Sequence, residues 1–229
     1  MKILAIDSST DTSSVAVLDD DKLIAINTIT VKITHSETLL PMIKDLLFNA
    51  KMNLDEIDVF AVTIGPGSFT GIRIGIATVK GLAFGRGKKC VEVSTLDAIY
   101  ENIKEFDGII CPVINARRGQ VYASAYLDGK KIIEEQCIQI NDLANLLRKY
   151  DKDVYFAGDG YELTDSIDVR RGETPVILRQ INAYSVGKIA YRKVIDGEYV
   201  KDSELRANYL RKSQAEMERE EKLRGEKSQ

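Results

Sequence analysis

The sequence predicts a two-lobed α/β protein with mixed sheets flanked by helices, and three observations carry that expectation. Strand-like and helix-like apolar patterns alternate along most of the chain. The order strand, strand, strand, helix, strand, helix occurs twice, once in each half. A length of 229 residues with 44% hydrophobic content is enough to bury a core, as one large domain or as two small lobes packed together.

In the first half, Lys2 to Asp7 reads as a buried strand, Ser13 to Leu18 as a second and Lys22 to Thr30 as a third, with Asp19-Asp20-Asp21 as the tight turn. Thr34-His35-Ser36-Glu37 has the spacing of a capping box. The helix it opens places Leu39, Ile43, Leu46, Leu47 and Ala50 on one face. Asp58 to Ile64 is a strand, followed by the loop Gly65-Pro66-Gly67-Ser68-Phe69-Thr70-Gly71 and a helix from Ile72 to Phe84. Strand Lys89 to Val93 comes next, and Ser94-Thr95-Leu96-Asp97 caps a helix running to Phe106.

In the second half, Gly108 to Ile114, Gln120 to Leu127 and Lys131 to Ile140 are strands, with Asp128-Gly129 as a hairpin turn. Asn141 is expected to cap a helix over Asp142 to Tyr150. Asp153 to Ala157 is a strand ending at Gly158-Asp159-Gly160, and Ala183 to Ile195 is the last helix. The division is therefore 1–106 for the N-terminal lobe, 107–210 for the C-terminal lobe and 211–229 for a charged tail, helical or disordered. Three antiparallel strands leading into helix-linked parallel ones give mixed sheets. This is the architecture of the actin/hexokinase-like (ASKHA) fold, a likeness that does not by itself assign a function.

Composition narrows the function classes. No apolar run is long enough to span a membrane; Ile72 to Phe84 is interrupted by Arg73, Lys80 and glycines. Cys90, Cys111 and Cys137 are odd in number and lack Cys-x-x-Cys spacing, which points to reduced thiols in a cytoplasmic protein. The N-terminus enters a strand pattern without signal-peptide features. Net charge is −3, so a basic surplus for gripping a nucleic acid alone is missing.

The glycine-rich loop Gly65–Gly71 follows a strand and opens a helix, where Gly65, Gly67, Ser68, Thr70 and Gly71 can present amides to an anion. It is neither a Walker A motif nor Gly-x-Gly-x-x-Gly, and a tight turn before a capped helix is the preferred reading. The helix after it carries Gly71, Gly75 and Gly81, each a cost of up to about 1 kcal/mol relative to alanine inside a helix. Close packing on the chain's own sheet, or on a helix of another protein, would offset that cost. Asp7 and Ser9 end the first strand in a turn suited to orienting a metal-bound phosphate, or in an ordinary polar turn. Asn115-Ala116-Arg117-Arg118-Gly119 is the matching turn of the second lobe. His35 is the only histidine and no cysteine cluster or carboxylate pair stands out, so no catalytic set or metal site is expected.

Ile6-Asp7-Ser8-Ser9, His35-Ser36-Glu37-x-Leu39-Leu40-Pro41, the Gly65–Gly75 run, Ala116-Arg117-Arg118-Gly119-x-Val121-Tyr122 and Tyr209-Leu210-Arg211 together resemble the TsaB (YeaZ) family over nearly the whole chain. TsaB is a degenerate relative of TsaD, which transfers a threonylcarbamoyl group to adenosine 37 of tRNA. TsaD-type proteins carry a His-x-Glu-x-His metal motif where this chain has Thr95 to Ile99, so Thr95 and Ile99 replace its two histidines. The resemblance implies a non-catalytic partner of a TsaD-like subunit, pairing through the first-lobe helices at Leu39, Leu40, Ile43, Leu47, Arg73, Gly75 and Val79. It also implies a TsaE-like ATPase in the assembly, a homodimer when alone, and tRNA contact only through the complex. No cofactor is expected on this chain alone, with ATP entering at the level of the complex. Asn115 and Gln120 stand where the family usually has Asp and often Glu. The segment from Arg211 to Gln229 carries eleven charged residues, with Glu218 and Lys222 at helical spacing. The competing reading is an ATP-dependent phosphotransferase of the same fold; a metallopeptidase is opposed by the single histidine.

Overall fold

The computed structural model describes residues 1–30 and 34–211; the expected charged tail lies, beyond Arg211, outside the described residues. The first sheet grows from the N-terminal hairpin, where β1 (Lys2–Asp7) and β2 (Thr12–Asp19) pair antiparallel from Lys2↔Asp19 to Asp7↔Ser14. Strand β3 (Lys22–Thr30) joins β2 in the same sense, and β4 (Val59–Gly65) joins β1 in parallel. With β5 (Lys89–Ser94) parallel to β4, the order is β3-β2-β1-β4-β5. Strands β1 and β4 read as continuous apolar runs because both of their faces are covered. Leu4, Ile6, Phe60 and Val62 turn to one side, and Ile3, Ala5, Val59 and Ala61 to the other.

Helices α1 (His35–Asn49) and α2 (Phe69–Ala83) cover the first side, through Leu39, Met42, Ile43, Leu46 and Leu47 and through Ile72, Ile76, Val79 and Ala83. The other side meets α3 (Thr95–Ile103) and α6 (Ala183–Ile195). The second sheet contains β6 (Ile109–Arg117), β7 (Gln120–Leu127), β8 (Lys130–Gln139) and β9 (Val154–Ala157) in the order β8-β7-β6-β9. Its β6–β9 pair is parallel, so it repeats the first four strands of the first sheet and stops there. Helix α4 (Ile140–Leu147) packs on its outer side, and α5 (Val176–Arg179) is a single turn before α6. One apolar cluster runs from Ile3 and Ala5 through Leu96, Ile99, Val186 and Ala190 to Ile110 and Ile114. Helices α3 and α6 are thus a layer shared by the two sheets, and the whole is an actin/hexokinase-like fold. Among the described residues no helix is long and apolar enough to cross a membrane.

Several local expectations are corrected. Helix α2 begins at Phe69, because the Ser68 hydroxyl accepts the Gly71 N–H at 3.2 Å and turns Phe69–Gly71 into its first turn. Thr34 makes no side-chain cap; its hydroxyl meets Ser36 Oγ at 3.1 Å, and the Glu37 N–H donates to the Thr34 carbonyl at 3.0 Å instead. Met42 completes the buried stripe of α1 in place of Ala50. Helix α4 starts at Ile140 without an Asn141 cap, since the Ile140 N–H already donates to the Gly119 carbonyl at 3.1 Å. Helix α3 ends at Ile103, short of Phe106, while its Ser94 cap forms as expected.

Candidate functional site

The parallel strands β1, β4 and β5 all end on the side of the first sheet that faces Glu135 and Asp159 of the second lobe, the crevice side, where an open α/β sheet usually takes its ligand. Asp7 lies there fully buried. Its Oδ1 accepts from the Ser9 hydroxyl at 2.6 Å, the Thr63 hydroxyl at 2.7 Å and the Ser9 N–H at 3.2 Å, while Oδ2 has no partner. Burial pushes this carboxyl up against the pull of those three bonds. Thr95, at the start of α3, also has a buried hydroxyl without a partner.

The second lobe contributes Asp159, which follows β9 and accepts the Asn115 N–H at 2.9 Å. Burial, reinforced by repulsion from Asp11 and Asp7, pushes Asp159 up to about 6. Asn115 Oδ1 in turn accepts the Arg117 N–H at 2.8 Å, holding the hairpin tip where Arg117 and Arg118 adopt φ values of 67° and 55°. The crevice therefore gathers carboxylates from both lobes, an arrangement that repels an unaccompanied phosphate. Sequence reasoning missed Asp159; its signal was the pair of flanking glycines after a strand, matching the glycine loop after β4.

The loop residues expected to act together do meet. Ser68 N–H donates to the Ser9 carbonyl at 2.7 Å, and the Ser8 hydroxyl donates to the Gly71 carbonyl at 2.9 Å. A Cβ on Gly67 would stand 2.1 Å from the Ser9 carbonyl oxygen, and one on Gly71 would stand 2.0 Å from that of Ser8. Gly65 is covered in the same way by the Asn208 carbonyl, 2.5 Å from a built Cβ, and Thr70 is exposed. The glycines thus allow backbone to approach backbone, and the groups of Ser68 and Gly71 are occupied within the chain. This is the tight-turn reading.

The expected partner-interface residues divide sharply. Leu39, Ile43, Leu47 and Val79 are buried in the chain's own core, and a Cβ on Gly75 would meet Ser8 Oγ at 2.6 Å. Those five serve the fold, a correction that follows from the inward stripe of each helix. Leu40, 53% exposed, and Arg73 lie on the outside. Beside them are residues that the sequence reading passed over: Phe48 at 81% and Phe84 at 76% exposure, with exposed Ala77 and Gly81. Both helices return the chain from the crevice to the start of a strand parallel to β1, so they lie side by side in one direction. Phe48 and Phe84 mark the same end.

A duplicated actin/hexokinase-like frame with a crevice at its strand ends and two half-covered helices defines the class. The model of the family described as "TsaD: tRNA N6-adenosine threonylcarbamoyltransferase" matches residues 26–212. The tRNA threonylcarbamoyladenosine biosynthesis protein TsaB of Bacillus subtilis is 36% identical over 162 residues, covering 69% of this chain and 71% of that protein. Its namesake from Escherichia coli is 38% identical over 128 residues, 55% of each chain. The solved structure of YeaZ from Pseudomonas aeruginosa superposes with a TM-score of 0.76 at 28% identity, over 91% of this chain and 99% of that one. The chain belongs to the TsaB (YeaZ) family. Thr95 and Ile99, expected from the resemblance to replace two metal-binding histidines, are fully buried, Ile99 within the shared core.

Proposed function

We propose that this chain is a non-catalytic partner of a TsaD-like subunit in forming threonylcarbamoyladenosine at position 37 of tRNA, acting by protein–protein pairing. The observation that carries the reading is the outer face of α1 and α2, where Leu40, Phe48 and Phe84 stand in water beside the small residues Ala77 and Gly81. Small residues let a second helix approach closely, and exposed apolar side chains gain about 25 cal/mol per Å² when covered. The same face accounts for a homodimer when the chain is alone.

The chemistry then belongs to the partner. Ile99 cannot ligate a metal, and the crevice presents carboxylates to any phosphate. ATP and a TsaE-like ATPase enter at the level of the complex, and tRNA is held mainly by other subunits, consistent with a net charge of −3 here. Such a protein works in the cytoplasm.

The test is mass-spectrometric detection of threonylcarbamoyladenosine in tRNA incubated with TsaC, TsaD, TsaE, ATP, threonine and bicarbonate, with and without this chain. Product that requires both this chain and TsaD is expected. Equal product without the chain sinks the partner reading; product without TsaD returns the phosphotransferase class to consideration, to be followed by nucleotide titration of the isolated chain.

A further inference from the structure

After α6 the chain does not simply end; it crosses from one lobe to the other. Val200 pairs with Cys90 on the free edge of β5, and Leu205 is buried in the first-lobe core. The Arg206 N–H donates to Glu92 at 2.6 Å, and the Asn208 N–H donates to the Ile64 carbonyl at 2.8 Å, directly over the glycine loop. Tyr209 then stacks on Phe69 with ring centroids 4.1 Å apart. Arg73 seals that stack from outside: its guanidinium lies 4.2 Å from the Phe69 centroid, and its Nε donates to Tyr209 Oη at 2.9 Å. Two residues later Arg211 reaches the second lobe, donating to the Ala116 carbonyl at 3.0 Å and to Gln120 Oε1 at 3.1 Å. Pro66, Phe69 and Tyr122 wall a small pocket together with residues 208–211, so this segment sits between the glycine loop and β7.

We propose that residues 205–211 are a latch that sets how far the lobes open at the crevice, with Tyr209 as its catch on the first lobe and Arg211 on the second. The second catch grips the hairpin that carries Asn115, the residue whose amide holds Asp159. Releasing it frees the crevice side of the second lobe. The shared layer of α3 and α6 stays intact as the pivot. Gln120 gains a role here as a neutral acceptor for Arg211.

The test is amide exchange on the full chain, together with the distance distribution between spin labels at exposed Lys44 and Lys130. In Arg211→Gln, amides of the hairpin between Ala116 and Val121 are expected to exchange about tenfold faster, and the label distances to spread to longer values. Tyr209→Phe keeps the ring stack and removes the acceptor of Arg73, so about threefold is expected. Unchanged hairpin exchange in Arg211→Gln overturns the latch. So does acceleration spread equally over β1 and β4, which assigns the strap to global stability. Faster hairpin exchange with unmoved label distances overturns it as well, since only the tip would then be fraying.

Discussion

The first sheet has a helix pair on each side, and the two pairs live in different surroundings. Helices α3 and α6 are enclosed between both sheets; a Cβ on Gly187 of α6 would fall 2.3 Å from a Leu18 methyl group. The charge they carry inward, Glu101, is answered by Lys104 at 3.1 Å, Lys188 at 2.8 Å and Arg192 at 2.7 Å. Helices α1 and α2 are packed on one side only and leave phenylalanine and leucine side chains in water on the other. The comparison teaches that the molecule's own core fully employs one pair and half-employs the other. Function is to be sought on the unused half.

The largest effect expected within this comparison comes from the inner side of α2. In Gly71→Ala the new methyl would stand 2.0 Å from the Ser8 carbonyl oxygen, a backbone atom in the turn directly after β1. The cost should be about 3 kcal/mol, read as a lower urea midpoint. A midpoint equal to that of the parent would mean that the inner face of α2 is as tolerant as the outer one. Gly75→Arg belongs with this test, because its side chain would enter the core against Ser8 and Val62.

The central layer comes next. Glu101→Gln leaves Lys104, Lys188 and Arg192 without their shared carboxylate and should cost about 2 kcal/mol at neutral pH. Burial opposes the Glu101 charge, but the three cations outweigh it and hold the carboxyl at about 2, below its ordinary 4.5. Because the folded value is depressed, this stabilisation is present above about pH 4.5 and is lost as pH falls toward 2. Urea unfolding from pH 5 to pH 2.5 should therefore fall less steeply in the variant than in the parent. Parallel curves would remove Glu101 from the account of the layer.

Much of this arrangement was legible in the chain. The apolar runs of β1 and β4, the period of α1 and α2, and the Asp128-Gly129 turn at φ 49° and 75° each follow from local rules. The assignment of Leu39, Ile43 and Val79 to an interface was not, because an apolar stripe of period 3.6 looks the same against a sheet as against a partner. Only the placement of α1 and α2 on the sheet decides which face is left, and that needs long-range contacts. Caps failed where a distant carbonyl took over, as Gly119 does for Ile140. Asp159 and Glu101 went unnoticed for the same reason: their neighbours come from elements 44 and 91 residues away.

On the outer face the expected loss is in pairing and not in folding. Ala77→Arg and Leu40→Glu change exposed positions and should leave the urea midpoint within about 0.5 kcal/mol of the parent. Each should weaken association with a TsaD-like subunit at least about tenfold, measured by sedimentation or calorimetry, by placing an unpaired charge in the interface. Unchanged affinity in both variants would move the interface elsewhere and leave the free face of α1 and α2 unexplained. Ile43→Glu makes the internal contrast, since it should unfold the chain before pairing can be read.

The smallest effect has the opposite sign and lies at the crevice edge of the central layer. Glu101 is surrounded by cations, whereas Asp159 is pushed up to about 6 from an ordinary 3.8, chiefly by burial and in smaller part by repulsion from Asp11 and Asp7. A raised carboxyl binds its proton more tightly in the folded state, so ionisation destabilises the fold progressively between pH 3.8 and 6 and fully above that. Asp159→Asn removes the charge while its amide oxygen can still accept the Asn115 N–H. It should raise stability by about 1 kcal/mol at pH 7 and leave it unchanged near pH 3.5, a pattern that thermal melts at the two pH values resolve. Stabilisation of equal size at both would point to packing of the amide. No gain at either would mean that solvent at the crevice already screens these carboxylates, and that the lobes stand open in solution at this edge.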